Sequence, residues 1–244
     1  MAELTRIAMW SGPRNISTAM MRSFENRPDT VVEDEPFYAH YLIKTGVNHP
    51  YRIDTIKSQE NDWEKVSNRL VSEIPNEGTI WYQKHMCQHN LEGCDLTWTK
   101  KLVNCFLIRD PKEVILSFAK QFKLTTSAQL GFTQQLYLFE KLKNETGQEP
   151  IVVDSKDVLK NPQKTLSILC EKIGIPFVDE MLSWPVGPRK SDGVWAKHWY
   201  QNVESSTGFI PFVEKKNHVP AKYSNILAEC MDVYRSLREY SIKH

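Results

Sequence analysis

Residues 6–18 read Arg-Ile-Ala-Met-Trp-Ser-Gly-Pro-Arg-Asn-Ile-Ser-Thr, and this stretch decides the fold. Arg6–Trp10 is a short, mostly apolar run, suited to a strand. It breaks at Ser11-Gly12-Pro13-Arg14-Asn15, and Ser17-Thr18 can cap a helix carrying Met20, Met21 and Phe24 before Pro28 ends it. A tight loop between a buried strand and a helix N-terminus aims backbone N–H groups at whatever sits above it. The helix dipole then favours an anion there. Ser11, Asn15, Ser17 and Thr18 add side-chain donors, and Arg14 adds a permanent charge with the fork geometry that suits phosphate or sulfate. No Gly-Lys-Ser/Thr closes the loop, so it is not a Walker motif. Taken alone, it reads equally as a tight turn with a good cap.

Outward from this stretch the same alternation repeats. Thr30-Val31-Val32 reads as a second strand leading into the acidic loop Glu33-Asp34-Glu35-Pro36. Thr79–Gln83 reads as a third, Val103–Ile108 as a fourth, and Ile151-Val152-Val153 as a fifth. Trp63, Val66 and Leu70 recur at helical spacing, and Pro111 opens a helix running to about Phe122. Phe132, Leu136, Phe139 and Leu142 mark another helix. Asn161-Pro162 starts one that Gly174 stops. Residues 184–212 show no period and read as a long loop, and the segment from Pro220 is amphipathic. Strands alternating with helices predict an α/β fold, a parallel sheet of about five strands with helices on both faces. No linker or repeat interrupts it, so a single domain over residues 1–244 is expected.

Composition narrows the function. The 244 residues carry 31 Lys plus Arg against 30 Asp plus Glu, a formal charge of +1. That balance excludes a nucleic-acid coat protein, and any bound anion must be held by a local cluster of donors. No stretch approaches the roughly 18 apolar residues of a membrane span. The opening Met1-Ala2-Glu3-Leu4-Thr5-Arg6 is charged within three residues and does not read as a signal peptide. Five cysteines, three of them (Cys105, Cys170, Cys230) inside apolar runs, read as reduced thiols of a cytoplasmic protein.

A second motif lies after the fourth strand. Arg109-Asp110-Pro111 is followed by Ser117, eight residues beyond Arg109. Ligands of parallel sheets bind beyond the carboxyl ends of the strands, so Arg109 belongs on the same edge as the first loop. The plain alternative is a surface arginine and an ordinary helix serine.

Together the two motifs resemble the sulfotransferases that use 3'-phosphoadenosine 5'-phosphosulfate (PAPS). The resemblance implies a P-loop nucleotide-kinase-like fold. It also implies that Gly12, Pro13, Arg14, Asn15, Ile16, Ser17 and Thr18 hold the 5'-phosphosulfate while Arg109 and Ser117 hold the 3'-phosphate. Val152–Asp157 with Asn161-Pro162 and Ile173–Phe177 resembles the family's fifth strand and the helix behind it. Arg189-Lys190 and Gly193–His198 resemble its basic lid, which implies nucleotide contacts from Lys190, Trp195 and Lys197. The chain departs from the pattern at Ile16, where many relatives have Gly, at Val153, often aromatic, and at the inserted Ser191-Asp192.

Sulfuryl transfer develops charge on the bridging oxygen of the leaving phosphate, where a fixed cation such as Arg14 should sit. The acceptor hydroxyl needs a base within reach of its proton, and the groups must be held in line. Glu35 resembles the catalytic glutamate of the carbohydrate-acting and bacterial branches. Lys84-His85 resembles the Lys and His pair of the small-molecule branch, one residue out of register, and His89 is a third option. No metal is required, and His85, Cys87, His89 and Cys94 fit no usual zinc spacing. The aromatics Phe37, Tyr38, Tyr41, Trp81, Tyr82, Trp98, Trp195, Trp199 and Tyr200 divide between core and an acceptor pocket. The resulting expectation is sulfuryl transfer from PAPS to the hydroxyl of a small-molecule acceptor, with no nucleic acid or membrane partner. Sugars, phenols, amino-alcohols and hydroxy acids all remain open as acceptors. An ATP-dependent P-loop-like kinase and a non-catalytic nucleotide-binding relative are the rival readings.

Overall fold

In a computed structural model the described residues are 4–214 and 218–243, so the charged opening Met1–Glu3 lies outside them. Five strands, β1 (Thr5–Ser11), β2 (Thr30–Asp34), β3 (Ile80–Met86), β4 (Val103–Ile108) and β5 (Ile151–Asp154), form one sheet in the order β2-β3-β1-β4-β5. Every pairing is parallel. The helices are α1 (Ser17–Glu25), α2 (Tyr38–Thr45), α3 (Arg52–Ser58), α4 (Trp63–Leu70), α5 (Pro111–Phe118), α6 (Phe132–Thr146), α7 (Ser155–Lys160), α8 (Pro162–Ile173), α9 (Ala196–Trp199), α10 (Gln201–Glu204) and α11 (Ser224–Glu239).

The two-residue period of β1 divides the core. Ile7 and Met9 pack with Met20, Met21 and Phe24 of α1 and Leu166 and Leu169 of α8. Ala8 and Trp10 face the other way, onto Val66 and Leu70 of α4, Leu138 and Phe139 of α6, and Leu237 of α11. Cys105 and Leu107 alternate with Phe106 and Ile108 in the same manner on β4. A strand covered on both faces has no polar side to show, which is why these stretches read as unbroken apolar runs. Inside this core the indole of Trp10 donates to Asn104 Oδ1 at 3.1 Å, so its burial leaves no orphan donor.

Three local expectations change. Strand β3 runs to Met86, three residues past its expected end, and so takes in Lys84 and His85. Helix α1 has Ile16 at its N-cap and no side-chain cap bond, so neither Ser17 nor Thr18 caps it. The stretch 184–212 holds the short helices α9 and α10 rather than loop alone, and α2 and α3 form in a region that had no assigned helix.

The sheet order sets the functional edge. From β3 the chain crosses past β1 to β4, so β1 stands where the order reverses, and ligands collect beyond its carboxyl end. Gly12 leaves β1 at this point with no room to spare. A Cβ there would lie 2.9 Å from the backbone carbonyl of Leu130. Gly12→Ala therefore forces the loop or the turn beneath it to move, with an expected loss of about 1–3 kcal/mol in chemical denaturation. A variant as stable as the wild type would show that this approach is not tight in solution.

Candidate active site

A cleft of about 1510 Å³ opens over the carboxyl ends of β1, β3 and β4, lined among others by Arg14, Ser17, Glu35, Lys84, His89, Arg109 and Ser117. Arg14 adopts a left-handed backbone (φ 58°), unusual for a residue with a side chain. Arg109 Nη1 donates to the Arg14 carbonyl at 2.9 Å and holds that conformation. Asn15 ties the loop down as well: its Nδ2 donates to the Leu107 carbonyl at 2.8 Å, and its Oδ1 accepts the Ile16 N–H at 2.9 Å. Asn15 thus braces the loop through its side chain.

The two sequence motifs meet here. Arg14 Nε donates to Ser117 Oγ at 3.0 Å, and among the described residues Arg14 has no carboxylate partner. Burial, and after it the like charge of Arg109, lowers the Arg14 pKa from its ordinary value. Arg109 is differently placed. Its Nε and Nη2 both lie 2.8 Å from Glu113 Oε2 one helical turn on, so an incoming phosphate would compete with a carboxylate for this guanidinium. Helix α1 begins beside Arg14 with uncapped N–H groups, the arrangement that draws an anion.

On the β2–β3 side a buried cluster surrounds Lys84. Its ammonium donates to Asp34 Oδ1 at 2.8 Å, Glu35 Oε1 at 2.5 Å and the Tyr200 hydroxyl at 2.7 Å. Tyr200 in turn donates to Asp34 at 2.8 Å and accepts from the Trp195 indole at 3.2 Å. Glu35 follows β2 in a left-handed turn (φ 46°), pinned by its N–H to the Lys84 carbonyl and its carbonyl to Gln59 Nε2. Burial raises the Glu35 pKa; Lys84 opposes that, and Asp34 adds to it. Burial disfavours the Lys84 ammonium, but Asp34 and Glu35 outweigh it and hold its pKa well above the ordinary value. Glu35 is therefore a carboxylate of enhanced basicity with one oxygen, Oε2, not tied to lysine.

The sequence from residue 5 to 240 matches the family model described as a sulfotransferase domain. The chain belongs to the sulfotransferase domain family. It is 34% identical over 244 residues, all of this chain, to branched-chain-amino-acid aminotransferase-like protein 1 of Arabidopsis thaliana, and 33% identical over 232 residues to protein 2 of that name. It spans 43% and 41% of those relatives' lengths, less than half of either. Among solved structures it resembles the sulfotransferase domain of the Synechococcus PCC 7002 olefin synthase (TM-score 0.58, 15% identity, 96% of each chain). It also resembles mouse sulfotransferase SULT7A1 complexed with PAP (TM-score 0.54, 16% identity, 97% of this chain and 89% of that one). The fold is accordingly of the P-loop nucleotide-kinase-like type.

His85, expected in the site, is buried away from the cleft. Because β3 extends through Met86, its alternation sends Lys84 into the cleft and His85 to the opposite face. There the imidazole stacks on Trp10 at 4.3 Å and lies 5.8 Å from Trp98, away from the cleft. His89 does line the cleft, packed against the rings of Tyr38 (4.6 Å) and Tyr41 (4.8 Å), with Nε2 3.9 Å from Glu35 Oε2.

The expected lid is elsewhere too. Arg22 grips the inserted Asp192 through Nη2 at 2.6 and 2.7 Å, and Ser191 bonds Glu25, so this segment is anchored on α1. Lys190 and Lys197 are exposed and Trp195 is core; none of the three lines the cleft. Phe209–Val213 lines it instead, with Lys156 Nζ 5.2 Å from the Phe212 ring. That segment carries no basic motif, so nothing in the sequence singled it out. Of the aromatics, Tyr38, Tyr41, Trp199 and Tyr200 line the cleft, while Phe37, Trp81, Tyr82, Trp98 and Trp195 are core.

Two measurements test this electrostatic picture in the sulfotransferase-domain protein. Lys84→Met leaves Asp34 and Glu35 buried without their cation, so a loss of about 3–5 kcal/mol is expected in denaturant titration. A near-neutral result would mean the cluster is solvated. Burial also pushes the His85 imidazole down to about 3 from an ordinary 6.5. Between those pH values the unfolded chain holds a proton that the folded chain lacks, so stability falls as pH falls, by about 1.4 kcal/mol per pH unit from this group. His85→Gln should flatten that part of the stability–pH curve; an unchanged slope would mean His85 titrates freely when folded.

Proposed function

We propose that the chain acts as a single domain that transfers the sulfuryl group of PAPS onto a hydroxyl of a small-molecule acceptor. The observation that carries this reading is the meeting of Arg14, Ser117 and Arg109 beside α1, with a basic carboxylate, Glu35, lining the same cleft. In this reading the N–H groups of Ser17 and Thr18 face the phosphosulfate, and Ser117 and Arg109 face the 3'-phosphate. Glu35 Oε2 accepts the acceptor's proton as its oxygen bonds to sulfur. The bond from sulfur to the bridging oxygen breaks, and Arg14 stabilises the charge left on the departing phosphate. Lys84 positions Glu35. A kinase reading lacks the Gly-Lys-Ser/Thr that would put a phosphate-binding lysine in the first loop, and Lys84 is engaged with two carboxylates and a tyrosine.

No helix among the described residues is long and apolar enough to cross a membrane. Five free cysteines, four of them buried, support a reducing compartment, and we propose the cytoplasm.

Calorimetry with 3'-phosphoadenosine 5'-phosphate, with 5'-AMP as the control, is the first test. Binding that needs the 3'-phosphate is expected, and equal binding of AMP would overturn the reading. Arg109→Ala should weaken that binding by more than about 2 kcal/mol, since a charge-assisted contact to a doubly charged phosphate is lost. Glu113→Gln should tighten it, because the competing carboxylate is gone. Glu35→Gln should bind the nucleotide as the wild type does and lose turnover; retained turnover would remove Glu35 as the base.

A further inference from the structure

The cleft is divided by charge. Arg14, Arg109 and Lys112 come from the first loop and the start of α5, and Lys156 from α7, so the nucleotide side of the cleft is cationic. Around Glu35 the walls are aromatic instead. Tyr38 and Tyr41 both pack on His89, His49 lies 6.4 Å from Trp199, and Phe122 packs on Trp199 at 5.0 Å.

Among the described residues Lys84 is the cation buried at this end, and two carboxylates face it, leaving one negative charge over. Neither histidine compensates. Burial lowers the pKa of His49 and drives that of His89 well below its ordinary value, so both are neutral at pH 7. On the cleft's exposed rim Lys120 stands against Glu92 and Glu214, so these side chains add no positive excess.

A surplus negative charge in a low-dielectric, ring-walled chamber favours one class of guest over the others. A hydroxy acid is repelled by it. A phenol stacks on the rings but leaves the charge unanswered. An alkylammonium group meets both features, since it gains from the ring faces and from the carboxylate. We propose that the acceptor is an alcohol bearing an amino or quaternary ammonium group, held against Tyr41 and Trp199 with its hydroxyl at Glu35. This inference rests on the sulfuryl-transfer reading and names the substrate class for that same site.

The test compares choline with its uncharged isostere 3,3-dimethylbutan-1-ol, and both with phenol and glycolate, on the protein loaded with 3'-phosphoadenosine 5'-phosphate for binding and with PAPS for transfer. Choline is expected to bind at least about tenfold more tightly than the isostere and to be the better sulfuryl acceptor. Trp199→Ala should remove most of that preference while nucleotide affinity stays as in the wild type, and Trp199→Phe should restore part of it. Equal binding of choline and the isostere, or a preference for phenol or glycolate, overturns the acceptor class. Failure to bind the nucleotide at all would instead overturn the sulfuryl-transfer reading.

Discussion

The ammonium of Lys84, buried between Asp34 and Glu35, is the constraint on which the β2–β3 side of the cleft depends. A cation here joins the carboxyl ends of β2 and β3 and, through Tyr200, the segment that follows α9. Buried charges are costly unless paired and hydrogen-bonded, and here the ammonium is paired with both carboxylates while one negative charge stays in excess. Asp34 is matched by Lys84, by Tyr200 and by the Gly193 N–H, whereas Lys84 reaches Glu35 through Oε1 and leaves Oε2 beside His89. The division leaves Glu35 held in place yet still able to take a proton.

The other side rests on backbone geometry. Gly12 passes close to the Leu130 carbonyl, Arg14 turns left-handed, and Arg109 reaches across from the end of β4 to hold the Arg14 carbonyl. Left-handed geometry at a residue with a side chain is an added local cost, and it recurs at Glu35. Both strained residues lie where a strand hands over to the cleft. In each case neighbouring strands supply the bonds that keep the conformation, so the rigid sheet offsets the strain of the loops.

His85 and Trp195 show where local reading stops. His85 follows Lys84 directly, and only the point at which β3 ends decides whether both face the cleft or one does. A strand three residues longer than expected moved His85 to the far face. The apparent lid failed for a different reason: Asp192 found a buried partner in Arg22, a residue of α1 that is 170 positions away. No periodicity of the segment itself encodes that partner.

By itself the sequence determined the alternating strands and helices, the tight loop that joins the first strand to its helix, and the placing of that loop and Arg109 on one edge of the sheet. These are short-range matters, written in apolar runs, glycine and proline placement, and spacings of a helical turn or two. The tertiary structure decided which face Lys84 and His85 occupy, that Arg109 spends its charge on Glu113 and the Arg14 backbone, that Phe209–Val213 lines the cleft, and which aromatics line it. Those outcomes depend on strand register, on partners distant in the chain and on the cost of burying a charge alone, all of which exist only once the sheet has closed over its core.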